Sequence, residues 1–244
     1  MYRTEIPHYL KTVLPTALPA SVTLARWMDE IGIHFGYEAN QLLLGTSLCS
    51  DDIVAMEFPE VTREMLGPFQ LGGLNGFPFA GLSGIKAFEA HVPKNGALTL
   101  VYGPHLGFTE DGVMGMVLRT GQKYASPCCG AAIAALRLLK DGTLQAGQQD
   151  ELDFEEDTLK RILFRQKERI LQAIFPEVEA TRVIYEAIDE RILLLLQKSN
   201  PSVQHIFGLG VLFLHLDAGN LPCMVVNRKA IWNGAKGSWD EMPA

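Results

Sequence analysis

Short apolar runs that stop abruptly at polar or glycine-containing segments are the feature that most constrains the fold of this chain. The clearest example is QLLLGTSL at residues 41–48, which ends at the polar stretch CSDD. Strands buried on both faces of a parallel sheet are apolar along their whole length, as this run is. Segments with apolar residues at helical spacing separate these runs. This alternation predicts an α/β fold with a mainly parallel central sheet flanked by helices.

The elements can be assigned approximately from these patterns. Strands are predicted at 41–48, 97–103, 208–217 and 222–227, with 112–119 as a further strand or hairpin arm. Helices are predicted at 21–34, 82–91, 129–140, 150–174 and 178–199. The glycine-rich segment 71–84 could suggest a phosphate-binding loop, but it lacks the Lys and Ser/Thr of that motif. It is therefore expected to form a tight backbone bend. Without a linker-like segment, residues 1–244 are expected to form a single domain with an irregular arm over about 1–20.

Composition excludes several classes of partner. The net charge of −7 and the absence of a Lys/Arg run argue against nucleic acid. The apolar runs are shorter than the ~20 residues of a membrane span, and the N-terminus does not resemble a secretory signal. Four cysteines without such a signal are typical of the cytoplasm or another reducing soluble compartment.

Soft ligands follow the predicted strands and open a predicted helix. Cys49 follows the first strand, His105 follows the second, and the adjacent Cys128 and Cys129 begin the helix at 129–140. Because ligands bind beyond the carboxyl ends of parallel strands, these side chains are expected at one edge of the sheet. Two thiolates and one imidazole suit Zn²⁺, with a fourth position left open. From spacing alone, packing in the core is an alternative for these residues, and either adjacent cysteine could be the ligand.

Other reactive side chains have simpler interpretations. His91 lies near a helix end and is interpreted as a capping residue, whereas His215 and Cys223 lie in apolar strands and are interpreted as core residues. Thiol redox chemistry at Cys128 and Cys129 is disfavoured, because the pair lacks the Cys-x-x-Cys spacing of thiol oxidoreductases.

Four segments resemble a known family. SLCSDDI, GGLNGFPFAGLSG, VYGPHLGFTEDGVMGMVLRTG and SPCCGAAIAA agree in order, over about residues 42–136, with the limiting-carbon-dioxide-inducible protein B/C family. That family is similar to β-carbonic anhydrases, which implies an α/β fold, a homodimer and zinc held by Cys, His and Cys. Carried over by motif, the ligands are Cys49, His105 and Cys129. Cys129 is chosen because the last ligand of β-carbonic anhydrases directly precedes Gly, and Cys128 is the alternative.

The resemblance also implies a reaction. It implies reversible hydration of carbon dioxide to bicarbonate, as in a carbon-concentrating mechanism, with Asp51 at the place of the Asp in the Cys-x-Asp element. The Arg that follows this Asp two residues later in β-carbonic anhydrases is replaced by Ile53. Arg119 is therefore expected to pair with Asp51, with Arg63 as the alternative. The replaced arginine also supports a second hypothesis, a non-catalytic zinc-containing protein that senses bicarbonate or serves in assembly.

Two further expectations concern surfaces. The C-terminal helices 150–174 and 178–199 each carry an apolar stripe, of which one is expected to pack on the sheet and the other across the two-fold axis of a homodimer. Phe77 and Phe79, in the glycine-rich bend, are expected to form an apolar wall of the site.

Overall fold

The computed structural model describes residues 6–145 and 151–243. The helices are α1 (His8–Val13), α2 (Ala20–Phe35), α3 (Asp52–Glu57), α4 (Gly81–Ala90), α5 (Gly130–Lys140), α6 (Phe154–Arg165), α7 (Lys167–Gln172) and α8 (Pro176–Ser199). The strands are β1 (Leu18–Pro19), β2 (Leu42–Ser47), β3 (Leu66–Gln70), β4 (Ala97–Tyr102), β5 (His105–Phe108), β6 (Met116–Val117), β7 (Ser126–Pro127), β8 (Ile206–Leu216), β9 (Cys223–Asn233) and β10 (Ser238–Glu241).

Eight of these strands form one central sheet, in the order β1-β9-β8-β4-β2-β3, with β5 beside β8 and β10 beside β9. The pairings of β2 with β3, β2 with β4, β4 with β8 and β5 with β8 are parallel. The pairings made by β9 are antiparallel. β6 and β7 form a separate antiparallel pair. The result is a mixed α/β fold with a central sheet flanked by helices, as predicted, and its parallel half carries the candidate site.

The predicted strands at the centre of the sheet are buried throughout. Every residue of β2, β4 and β8 is buried, which explains why these segments are apolar on both faces. Between β4 and β5 the chain passes Gly103, whose φ is 146°. A Cβ atom there would lie 1.8 Å from the carbonyl oxygen of Val211 in β8. Only glycine therefore allows the chain to pass against β8 and place His105 at the start of β5.

Some elements differ from the sequence prediction. The segment predicted as one helix over 150–174 forms α6 and α7, which meet at Gln166, and Asp150 lies outside the described residues. The arm predicted to be irregular contains α1, and β1 pairs with β9; residues 1–5 lie outside the described residues. Strand β3 was not predicted, because this edge strand is mostly exposed and contains Pro68, so it lacks an apolar run. None of the described helices is long and apolar enough to cross a membrane.

Candidate metal centre

Three predicted ligands from three separate segments come together in the core. Cys49 lies two residues beyond β2, His105 is the first residue of β5, and Cys129 is the residue that precedes α5. All three are at least nine-tenths buried. One potential ligand atom from each lies within 4.8 Å of the other two. The group is therefore a candidate metal site.

The geometry of this group fits a zinc ion. The Sγ atoms of Cys49 and Cys129 are 3.8 Å apart. Two sulfur ligands about 2.3 Å from a tetrahedral zinc ion are separated by about the same distance, ~3.8 Å. The Nε2 atom of His105 is buried and has no hydrogen-bond partner among the described residues, so no other contact occupies this nitrogen. Two sulfurs and one imidazole nitrogen leave one tetrahedral position for a further ligand.

Electrostatics distinguish the two thiols. The hydrogen bond with Cys49, together with the backbone amides of Ala132 and Ala131 at the start of α5, lowers the pKa of Cys129. The same hydrogen bond with Cys129, together with burial, raises the pKa of Cys49. The helix amides favour the thiolate of Cys129, and a thiolate is the form of cysteine that binds metal.

Asn75 connects the glycine-rich bend to the site. Its backbone N–H donates to the Cys49 sulfur at 3.1 Å, and its side-chain Oδ1 accepts from the backbone N–H of His105 at 3.3 Å. The residue is fully buried and has a φ of 52°. Asparagine tolerates this left-handed conformation better than most residues do. Sequence reasoning identified the bend but not Asn75, although the Asn-Gly dipeptide was a signal of unusual backbone.

Asp51 and Arg119 form a two-point ion pair beside the ligands. The Nη2 atom of Arg119 donates to Oδ1 and Oδ2 of Asp51 at 3.0 and 2.8 Å. Oδ1 also accepts from the backbone N–H of Ile53, so Asp51 caps α3. Burial opposes ionisation of Asp51, but hydrogen bonds with Asp52 and Arg119 lower its pKa below the usual range. The carboxylate is therefore charged near neutral pH.

Two hydrogen bonds to β7 also hold Arg119 in place. Its Nη1 atom donates to Ser126 Oγ at 2.5 Å and to the Pro127 carbonyl oxygen at 3.4 Å, both in β7. The alternative arginine, Arg63, has a side chain that is 76% exposed and pairs with Glu60 three residues earlier. The structure thus brings Arg119, and not Arg63, to the Asp51 carboxylate.

Cys128 lies in a second group of ligand-type side chains. Its Sγ atom is 3.4 Å from Nδ1 of His105, and His215 completes a buried cluster of three. Nδ1 of His215 is 2.6 Å from a carboxylate oxygen of Glu57. Burial keeps the pKa of His215 well below its usual value and raises that of Glu57 to about 7. The contact between them is therefore a hydrogen bond of a neutral imidazole. Sequence reasoning treated His215 as an ordinary core residue and missed Glu57.

Two cavities flank the Asp51–Arg119 pair. One, of about 700 Å³, is lined by Cys49 and Asp51 together with apolar side chains that include Val54 and Phe58. The other, of about 590 Å³, is lined by Arg119, Glu57 and neighbouring residues. The predicted aromatic wall lies elsewhere. Phe77 and Phe79 pack on each other, and Phe77 lines a third cavity, beside α6 and α8. Neither ring lines the two cavities that flank the ion pair.

The family model for limiting CO2-inducible proteins B/C beta carbonic anhydrases matches residues 20–222. The chain belongs to this family. No curated protein matches the chain. Among solved structures, this member of the limiting CO2-inducible protein B/C family is similar to PtLCIB4, a homolog of the limiting CO2-inducible protein LCIB. The identity is 27% and the TM-score 0.84, over 96% of this chain and 98% of that one. LCIB itself shares the fold, with 20% identity and a TM-score of 0.69, over 97% of this chain and 99% of that one.

Two reactive side chains named in the sequence analysis remain, His91 and Cys223. Nδ1 of His91 lies 2.6 Å from the Ala87 carbonyl oxygen at the end of α4, which is a capping position. Cys223 is buried in β9 and belongs to neither cluster. All four cysteines are free thiols.

Proposed function

We propose that this protein is a zinc-dependent carbonic anhydrase of β-like type, which catalyses reversible hydration of carbon dioxide to bicarbonate. One observation carries the proposal: Cys49, His105 and Cys129 converge beside a carboxylate, Asp51, that is held by Arg119. The family description, which names beta carbonic anhydrases, supports the same reaction. We treat residues 1–244 as one zinc-binding domain.

The three ligand side chains fit Zn²⁺ in number, chemical type and sulfur–sulfur distance. Zinc, when bound, lowers the pKa of a water molecule from 15.7 to about 7 and so supplies a nucleophile at neutral pH. The backbone N–H of Asn75 stabilises negative charge on the Cys49 sulfur, and the start of α5 does the same for Cys129.

Asp51 orients the attacking oxygen. As an ionised carboxylate it can only accept hydrogen bonds, so it would accept one from the nucleophile that a bound zinc ion supplies and would thereby fix the orientation of that nucleophile. Arg119 keeps Asp51 ionised and fixes its rotation, since the guanidinium bonds to both carboxylate oxygens. The apolar lining contributed by Val54 and Phe58 suits an uncharged, nonpolar substrate such as carbon dioxide.

We further propose that the protein is a homodimer in a reducing compartment. Exposed apolar side chains near the junctions of the C-terminal helices support the homodimer. They include Ile174, which is 89% exposed, and Leu171, which is 46% exposed. The four free thiols support the reducing compartment.

Metal analysis combined with stopped-flow hydration of carbon dioxide tests the reaction. We expect about one zinc ion per chain and hydration above the buffer rate between pH 7 and pH 9. A chain that carries zinc but shows no hydration in this range would support the alternative, a bicarbonate-sensing or assembly protein.

A further inference from the structure

Cys128 lies within hydrogen-bonding distance of His105, the proposed histidine ligand. It is completely buried, and its sulfur lies 3.4 Å from Nδ1 of His105. Its neighbour Cys129 instead contacts Cys49 across the candidate metal site. The adjacent cysteines therefore point to different partners, although they follow each other in the chain.

The two nitrogens of His105 have different surroundings. Nδ1 faces the Cys128 sulfur, whereas Nε2 is buried without a hydrogen-bond partner among the described residues. A neutral imidazole carries its proton on one nitrogen and a lone pair on the other. A hydrogen bond from Nδ1–H to sulfur leaves the lone pair on Nε2, which is the nitrogen available for a metal ion. Histidine ligands usually have such an outer partner, which sets the tautomer and the orientation of the ring.

We propose that Cys128 is a positioning residue, whose sulfur accepts the Nδ1–H of His105 and directs Nε2 to the metal ion. This inference rests on the proposed zinc site at Cys49, His105 and Cys129. It assigns a distinct task to each adjacent cysteine: Cys129 binds metal, and Cys128 orients the histidine that binds it.

His215 closes the other side of this arrangement. Its ring meets that of His105 edge to face, with ring centres 5.1 Å apart and an interplanar angle of 85°. Glu57 bonds to Nδ1 of His215 and so restrains that ring in turn. The His105 ring is held by the Cys128 sulfur and by a neighbouring ring, which limits its rotation out of the metal site.

The test compares Cys128→Ala, Cys128→Ser and the matched control Cys223→Ala, which removes another buried thiol outside both clusters. Zinc affinity is measured by competition with a chromophoric chelator. We expect Cys128→Ala to weaken zinc binding about 10–100-fold, the usual loss for an outer partner of a metal ligand. Cys128→Ser, which keeps an acceptor, should recover most of that loss, and Cys223→Ala should bind zinc as the wild type does.

A spectroscopic readout and the number of bound metal ions separate positioning from ligation. With Co²⁺ in place of zinc, the sulfur-to-metal charge-transfer band should keep its two-thiolate intensity in Cys128→Ala at saturating metal. A band reduced by half would identify Cys128 as a ligand and overturn the proposal. Loss of one of two bound metal ions would also overturn it, since His105, Cys128 and His215 would then form a second metal site.

The tautomer of His105 gives a test that does not depend on the stability of a variant. Nitrogen-15 NMR of labelled, zinc-loaded wild-type protein should show the His105 proton on Nδ1 and the metal ion on Nε2. A proton on Nε2 would overturn the proposal, as would unchanged zinc affinity in Cys128→Ala. A wild-type chain that binds no zinc but shows the Nδ1–H tautomer would refute the proposed zinc site and leave the contact between Cys128 and His105 intact.

Discussion

Arg119 binds both carboxylate oxygens of Asp51, although the two residues lie 68 positions apart in the chain. The β-carbonic anhydrase pattern provides this arginine two residues after the Asp, where this chain has Ile53. The hairpin of β6 and β7 supplies the cation instead, because Ser126 and Pro127 hold the guanidinium in place. In this chain the carboxylate and the cation of the ion pair thus come from different parts of the fold.

Replacing Asp51 by Asn should separate metal binding from catalysis. The substitution keeps the shape of the side chain but removes its charge, so the nucleophile loses its orienting acceptor. We expect zinc content to be unchanged and the hydration rate to fall about 10²–10³-fold, the usual effect of losing one well-placed catalytic group. Zinc analysis and stopped-flow assays measure both quantities. Full activity in Asp51→Asn would refute the assigned role of this carboxylate.

Replacing Arg119 by Ala should give a similar but smaller loss of activity. Without the guanidinium, burial raises the pKa of Asp51 and its carboxylate is free to rotate. The matched control is Arg63→Ala, because Arg63 is largely exposed and pairs only with Glu60 in the described structure. Equal losses of hydration activity in the two variants would contradict the assignment of Arg119 as the functional partner of Asp51.

Removing any one proposed ligand should release the metal ion. Cys49→Ser, His105→Ala and Cys129→Ser each delete one of three protein donors, and elemental analysis should show a large loss of zinc in each variant. Cys223→Ser is the control, since this thiol lies outside both clusters. Retention of full zinc by Cys129→Ser would mean that the third ligand has been misassigned.

Glu57 should make the stability of the fold depend on pH. Burial raises its pKa from 4.5 to about 7, so between these values the folded chain binds more protons than the unfolded chain. The Glu57 contribution to the free energy of unfolding therefore falls as pH rises through this window. His215 contributes in the opposite direction, because its pKa in the folded chain is lowered well below the usual value and only the unfolded chain binds its proton in this window. The Glu57 contribution is therefore obtained from the difference between the wild type and a variant at this position.

Glu57→Gln should remove this contribution, because Gln does not ionise. Between pH 5 and pH 8 the variant should gain on the order of 1–3 kcal/mol relative to wild type, from about 1.4 kcal/mol per unit of pKa difference. Urea unfolding at several pH values measures the difference. Glu60→Gln, at a position 78% exposed, is the control. Parallel pH profiles for wild type and Glu57→Gln would contradict the assignment.

Light scattering at micromolar concentration should show a dimer. If the C-terminal helices form the contact, Ile174→Lys should weaken it, because a charge would replace an exposed apolar side chain at the interface. Ile33→Lys is the control, since Ile33 is similarly exposed at 77% but lies on α2. A monomeric wild type would refute the dimer, and a dimer unaffected by Ile174→Lys would move the interface elsewhere.

The sequence by itself determined the fold class and the ligand candidates. Buried parallel strands must be apolar on both faces, so β2, β4 and β8 were visible as continuous apolar runs. Since such strands end at one edge, the positions of Cys49 and His105 after two of them predicted that the two side chains would meet. These inferences depend on neighbours in the chain, which a sequence displays directly.

Only the tertiary structure decided the contacts between distant segments. Edge strand β3 has no apolar run, and the break between α6 and α7 leaves the helical periodicity almost unchanged, so neither feature could be predicted. Packing across the sheet decides which arginine reaches Asp51 and which adjacent cysteine faces Cys49. It also brings Asn75 and His215 to the candidate metal centre. Such contacts follow from the paths of whole elements through space, whereas sequence patterns report only the local preferences of a few consecutive residues.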